Sequence, residues 1–412
     1  MPQMKTETNI KLPFSFILYG LVALVLSQVI LFISNDALVA GQFRIPDIWM
    51  GAHFLLLGWA VMIVMGAMYQ LVPVAFLTPI WNETFGFIQF GVTAVGITAF
   101  SILLGFKPDS AIYGGMLAIL GVLMFLFQML KTILSQQTKN TMTYFVVGAL
   151  VSFFITIGFG FLLAWNLAYG GIASHNTILY SHIVMGVAGW FTLLIFGFSY
   201  KLVPMFSLSH GFSMKFAKPA FFSYIAGLLV LISGFWLVAS FIQTIGWLVL
   251  LVGFSLFVLD IKEILTKRLK KKLDKPFTFA LLAIANGLVI HVLAFLLSLF
   301  NNANAKLWSW LIFLYVMTWI IFSILGYLNK IVPFLWWTHK YSDKVGKTKV
   351  PMLKEMINEK LSVTIFVLFV ISVVGLTIGA LAEVALLVML FQALLTIASI
   401  AYVISIVRIL FM

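Results

Sequence analysis

The chain has 412 residues, of which 63% are hydrophobic, 9% are charged and none is cysteine. A soluble domain carries about a quarter charged residues, so this composition excludes one. The lack of cysteine excludes disulfides, thiolate metal sites and haem attached through Cys-x-x-Cys-His.

Residues 1–12 carry Lys5, Glu7 and Lys11 with no small-residue cleavage pattern before Pro13, so the first apolar run reads as a retained helix rather than a signal peptide. A span across the hydrocarbon core takes about 20 apolar residues. Runs of that kind fall at 13–34, 49–73, 85–105, 111–131, 143–168, 178–203, 219–240, 243–261, 277–300, 307–332, 361–381 and 384–411. They predict helices 1 to 12.

The second helix of each group of four ends on the same signature. Trp59, Gly66, Tyr69 and Pro73 recur as Trp190, Gly197, Tyr200 and Pro204, and again as Trp319, Gly326, Asn329 and Pro333. A repeat of about 130 residues decides the architecture. The expected fold is an all-α polytopic membrane protein, with twelve transmembrane helices in three pseudo-threefold four-helix repeats. It is a single membrane domain over 1–412, with repeat units 13–131, 143–262 and 277–411, and each signature proline is expected to end its helix.

The net charge of +13 would suit nucleic acid, but its distribution does not. With the N-terminus in the cytoplasm, all of the 25 Lys and Arg except Arg44, Lys107 and Lys306 fall in inside segments. The positive-inside rule accounts for that bias and sets both termini in the cytoplasm of a multi-pass cell-membrane protein. Nucleic acid is excluded as a partner and the lipid bilayer takes its place. The basic runs 267–272 and 340–360 are expected to touch anionic headgroups.

Ionisable residues inside a membrane are functional candidates by default. Asp260, Glu263 and Glu83 are expected at cytoplasmic helix ends, so no carboxylate relay is apparent. The histidines differ. His53 and His182 lie just inside the outer ends of helices 2 and 6, His291 lies deeper on helix 9, and His175 precedes helix 6. His210 and His339 fall in cytoplasmic loops, where solvated side chains are expected. Neutral imidazole is the common axial ligand of b-type haem and a good copper ligand. Gly51, Gly58, Gly186 and Gly189 near the first two histidines would give a cofactor room between helices. The plainer reading is an interfacial histidine held by a backbone carbonyl. The signature Trp and Tyr read as packing and interfacial anchors.

Twelve helices in three groups of four, with histidines at the outer ends of helices 2 and 6, resemble subunit I of the haem–copper oxidase superfamily. A local match is to the NnrS family of haem- and copper-containing proteins of nitric oxide metabolism. It rests on His53-x4-Gly58-Trp59-x6-Gly66-x6-Pro73, His182-x6-Gly189 and Ser207-Leu208-Ser209-His210-Gly211. In the superfamily, helix 2 ligates a low-spin haem, helix 6 ligates copper, helix 7 adds a copper-binding His pair and helix 10 carries a His-x-His for both haems. Helix 7 here has no histidine, and helix 10 has Leu311 and Phe313 at the positions equivalent to His182 and His53. The outer turn between helices 11 and 12 lacks the arginines that hold haem propionates. The resemblance therefore implies the fold without a dioxygen-reducing centre, and copper is not expected.

His53 precedes its proline by 20 residues and His182 by 22. Two residues turn a helix by about 200°, so the two side chains leave opposite flanks of equivalent helices and could share one pore of a threefold ring. The expected cofactor is haem b, with His53 and His182 as metal ligands, His291 as a further cofactor contact and Arg44 as a propionate partner. The expected role is respiratory electron transfer or nitric oxide handling or sensing, beside other respiratory subunits or nitric oxide itself. Alternatives are a haem-free transporter of a neutral or hydrophobic solute and a structural subunit of a respiratory assembly.

Overall fold

The computed structural model describes residues 8–136 and 139–412. Among the described residues, twelve helices are long and apolar enough to cross a membrane. They are α1 (Lys11–Ile33), α2 (Pro46–Phe76), α3 (Glu83–Phe106), α4 (Pro108–Leu134), α5 (Thr141–Tyr169), α6 (His175–Ser207), α7 (Ala217–Trp236), α8 (Ser240–Thr266), α9 (Lys275–Leu299), α10 (Ala305–Lys344), α11 (Glu359–Leu381) and α12 (Ala385–Ile409). All twelve expected spans are present. Helices answer the demand that lipid makes of a backbone, because every peptide group finds its partner within its own segment. Asparagines supply several starts: the side chains of Asn82, Asn140, Asn304 and Asn358 cap α3, α5, α10 and α11 by accepting from first-turn N–H groups.

The second helix of each repeat departs from plain α geometry at one equivalent place. π-Helical turns cover Phe54–Val61, Met185–Phe191 and Tyr315–Ile321, and each contains the signature tryptophan. The prolines do not end these helices. Pro73 and Pro204 sit inside the last turn, and the chain leaves through Leu77 and Leu208, both left-handed at φ 51° and 54°. Thr78 and Ser209 then donate to the proline carbonyls at 3.1 and 3.0 Å, closing a Schellman-type end. Pro333 is followed by two more helical turns. Proline has no N–H to give, so the carbonyl four residues before it is released. At Pro73 the released carbonyl of Tyr69 accepts from Thr8 Oγ1 at 2.9 Å.

The chain divides into two compact units. One takes Met1–Ser135, Asp274–Ala280 and Ile324–Met412, and the other takes Gln136–Leu273 and Leu281–Ser323. In the first unit, Tyr69 donates to Gln89 at 2.9 Å, and Gln89 in turn donates to Thr93 and to the carbonyl of Gly121. A buried amide pair, Gln392 to Gln28 at 3.1 Å, ties α12 to α1. Glycine brings α3 and α4 together: a Cβ at Gly96 would lie 2.4 Å from the backbone N of Ala118. In the second unit a Cβ at Gly227 would lie 2.7 Å from the backbone N of Leu250, so α7 and α8 approach in the same way. Close approach through small residues is the usual packing device where lipid competes with protein for apolar surface.

Asp260, near the end of α8, is 1% exposed. It accepts from the Tyr200 hydroxyl at 3.0 Å and the Phe216 N–H at 3.2 Å. Burial of a carboxylate is tolerated there because both oxygens are met by donors.

Candidate haem ligands and a buried tyrosine–histidine network

His53 and Arg44 belong to the first unit, and His182 and His291 to the second. His53 ends the α-helical turn Pro46–His53, immediately before the first π-helical turn. Its Nδ1 lies 2.8 Å from the carbonyl of Trp49, one turn back. The ring meets Phe100 edge-on at 5.2 Å. A carbonyl can only accept, so the proton is on Nδ1 and Nε2 is the basic nitrogen. His182 repeats this arrangement with a different helix: its Nδ1 donates across to the carbonyl of Thr156 on α5 at 3.0 Å. Both histidines are half-buried. A metal-bound imidazole characteristically donates its other N–H to such an acceptor, which holds the ring and the tautomer. The donor chemistry of both residues therefore fits an iron ligand.

Gly160 on α5 makes room for the His182 ring, since a Cβ there would come within 3.1 Å of His182 Cε1. The glycines flanking the two histidines in sequence have another use. A Cβ at Gly51 would meet Leu31 at 2.9 Å, at Gly58 Ala23 at 2.8 Å, at Gly186 Thr156 at 3.2 Å and at Gly189 Ser152 at 2.8 Å. They bring helices together and do not open space for a ligand. Arg44 is exposed in the connection before α2. His175 is half-buried and bonds to Asn166 at 3.1 Å, while His210 and His339 are exposed.

His291 has no accessible surface. Its Nδ1 donates to Gly287 at 2.7 Å, and its Nε2 lies 3.0 Å from the Tyr224 hydroxyl. With Nδ1 carrying the proton, Tyr224 must be the donor. The chain of bonds continues from Tyr224 to Tyr315 at 3.1 Å and from Tyr315 to Thr192 at 2.8 Å, and the indole of Trp319 donates to Thr192 at 3.0 Å. An iron bound at His291 would have to displace the Tyr224 hydroxyl. Around this network Phe196 stacks on Phe257 at 3.9 Å, and Phe254 meets Trp319 at 5.0 Å and His291 at 4.3 Å. Side chains from α6, α7, α8, α9 and α10 thus fill the interior of the second unit. Among the described residues no three His, Asp or Glu side chains converge as a metal-ligand set.

Sequence reading singles out His291 but not Tyr224, Tyr315 or Thr192. A signal was present for two of them. At the position of Tyr315 the other repeats carry Leu55 and Gly186, and at that of Thr192 they carry Val61 and Ile321. Polar residues confined to one copy are not needed by the common fold.

The structure aligns over 98% of its length with a haem–copper terminal oxidase solved as a dimer by cryo-electron microscopy, covering 85% of that chain with a TM-score of 0.74 and 12% identity. The chain has the fold of haem–copper oxidase subunit I. No protein-family model and no curated protein matches the sequence. At 12% identity the likeness to the oxidase is one of fold alone.

Proposed function

We propose that this oxidase-fold protein binds a b-type haem through His53 and His182 and serves in electron transfer. The observation that carries the reading is the shared state of the two imidazoles, each with Nδ1–H on a main-chain carbonyl and Nε2 as its basic nitrogen, on the second helices of two repeats. A haem would supply a one-electron couple. The chain's part is to hold the rings: Trp49 and Thr156 fix their tautomers, Phe100 braces His53, and Gly160 admits His182. Arg44 is the proposed propionate partner.

Copper has no place in this reading, because α7 carries no histidine and α10 carries Leu311 and Phe313 where histidines would be required. Without those histidines the reading favours electron transfer over dioxygen chemistry. A role in nitric oxide handling, as in the NnrS family, would require a bound haem to take up the gas. Both termini are placed in the cytoplasm on the distribution of Lys and Arg. Reporter fusions after Lys272 and Lys349 should then report cytoplasm, and one near Asn302 the exterior.

The deciding experiment is the absorption spectrum of the purified protein. A Soret band with one haem per chain, removed or shifted in both His53→Ala and His182→Ala and unchanged in His210→Ala and His339→Ala, is the expected result. A colourless protein after expression with haem precursor would overturn it. Nitric oxide added to the reduced protein should leave the spectrum unchanged; a shift would move the assignment to gas handling.

A further inference from the structure

The first unit contains a half-open cleft of ≈ 240 Å³ between the later part of α10, the start of α11 and the end of α12. The repeat explains why it is there. At the third signature position Tyr69 and Tyr200 send phenols to Gln89 and Asp260 on neighbouring helices. The third copy has Asn329, whose short amide turns back to the carbonyl of Leu325 at 3.0 Å. Tyr402 of α12 donates to the same carbonyl at 3.0 Å. The cleft remains open from Asn329 outward.

Three polar side chains on its wall bear on what it could hold. Ser362 is 5% exposed and lines the cleft, and among the described residues its hydroxyl makes no hydrogen bond. Arg408 lines the cleft from the last turn of α12, and among the described residues its guanidinium makes neither an ion pair nor a hydrogen bond. Glu355 lines the same cleft, takes the Met352 N–H on Oε2 at 3.0 Å, and does not pair with Arg408. A cation and an anion thus face one small space without meeting. Ser362 begins one membrane span and Arg408 ends another, which puts the cleft at the depth of lipid headgroups.

From these groups we infer that the cleft binds the headgroup of an ethanolamine phospholipid. Arg408 and the Ser362 hydroxyl take the phosphate oxygens, Glu355 takes the primary ammonium, and Leu361 and Ile409 lie against the glycerol carbons. Arginine suits phosphate because its N–H groups form a planar fork. A purely anionic headgroup would leave Glu355 facing like charge. A choline headgroup has no N–H for Glu355 and is recognised by aromatic faces, and no aromatic side chain lines the cleft.

The test is native mass spectrometry of the full chain released from nanodiscs holding equal amounts of phosphatidylethanolamine, phosphatidylcholine and phosphatidylglycerol. The protein should retain one ethanolamine lipid with a preference of about tenfold, the size of one charge-assisted hydrogen bond. Arg408→Gln should remove retention of that lipid. Glu355→Gln should make the ethanolamine and choline lipids equal. Lys354→Gln, in the same turn but outside the cleft, should change nothing. Both cleft charges are exposed, so folding should survive, and elution on size exclusion checks it; if Arg408→Gln aggregates, the selectivity of Glu355→Gln decides. No preference in the unaltered protein, or retention unaffected by Arg408→Gln, overturns the inference. Binding of soluble glycerophosphoethanolamine as tight as that of the lipid would overturn the assignment to a membrane lipid.

Discussion

His182 and His291 lie in the same unit, and each donates Nδ1–H to a main-chain carbonyl. Beyond that they diverge. His182 remains half-buried beside a glycine that makes room for its ring, whereas His291 has no accessible surface and its Nε2 takes the hydroxyl proton of Tyr224. The availability of a histidine for metal is decided by what faces its second nitrogen. The scarcity of ionisable residues in these spans, which singles out both in the sequence, does not decide it.

The largest expected effect separates the two directly. His182→Ala should abolish or strongly shift the Soret band while changing unfolding free energy by less than about 1 kcal/mol, as a half-buried position predicts. His291→Ala should do the opposite. It removes a fully buried ring and strands the Tyr224 hydroxyl, so it should cost about 2–3 kcal/mol in a detergent-unfolding titration, with haem per folded chain unaltered. If His291→Ala bleaches the protein and His182→Ala does not, the ligand assignment is reversed.

Smaller perturbations sharpen the contrast. Tyr224→Phe should cost about 1 kcal/mol, the usual scale for a buried hydrogen bond between membrane helices. Combined with His291→Ala it should cost less than the two single losses added together. Gly160→Ala is expected to be the mildest. Its new methyl would press on His182 Cε1 from 3.1 Å, so the ring must give by a few tenths of an ångström. The band should move by a few nanometres without losing intensity. An identical spectrum would mean that the His182 ring is not held where iron would sit.

The twelve spans are legible because apolar length is a property of the chain itself, and their ends agree with the structure to within a few residues at most positions. Pro333 is less legible. Proline forbids one hydrogen bond but permits the helix to run on, and the residues after it decide whether it does. Leu77 and Leu208 turn left-handed after the first two prolines, while the third helix continues to Tyr341. The π-helical turns carry no local signal, since they insert a residue into a pattern that stays apolar throughout.

The candidate site is legible in kind more than in geometry. Histidines stand out because ionisable residues are scarce in these spans. Gly51, Gly58, Gly186 and Gly189 are contacts and not cofactor space, because the sequence does not say whether a missing Cβ faces a ligand or another helix. The sequence places Asp260 near a helix end but does not show that Tyr200 and the Phe216 N–H enclose it.

By itself the sequence determined the helical class, the number of spans, the threefold repeat and the scarcity of polar groups within them. Each of these arises from composition and period, which act locally along the chain. Tertiary structure alone decided which imidazole nitrogen is occupied, which glycine is a contact, and that Asn329 turns back on its own helix and lines a cleft while Tyr69 and Tyr200 reach neighbouring helices. Those outcomes depend on side chains from different helices arriving at one point, and hydrogen bonds and packing act only over that short range.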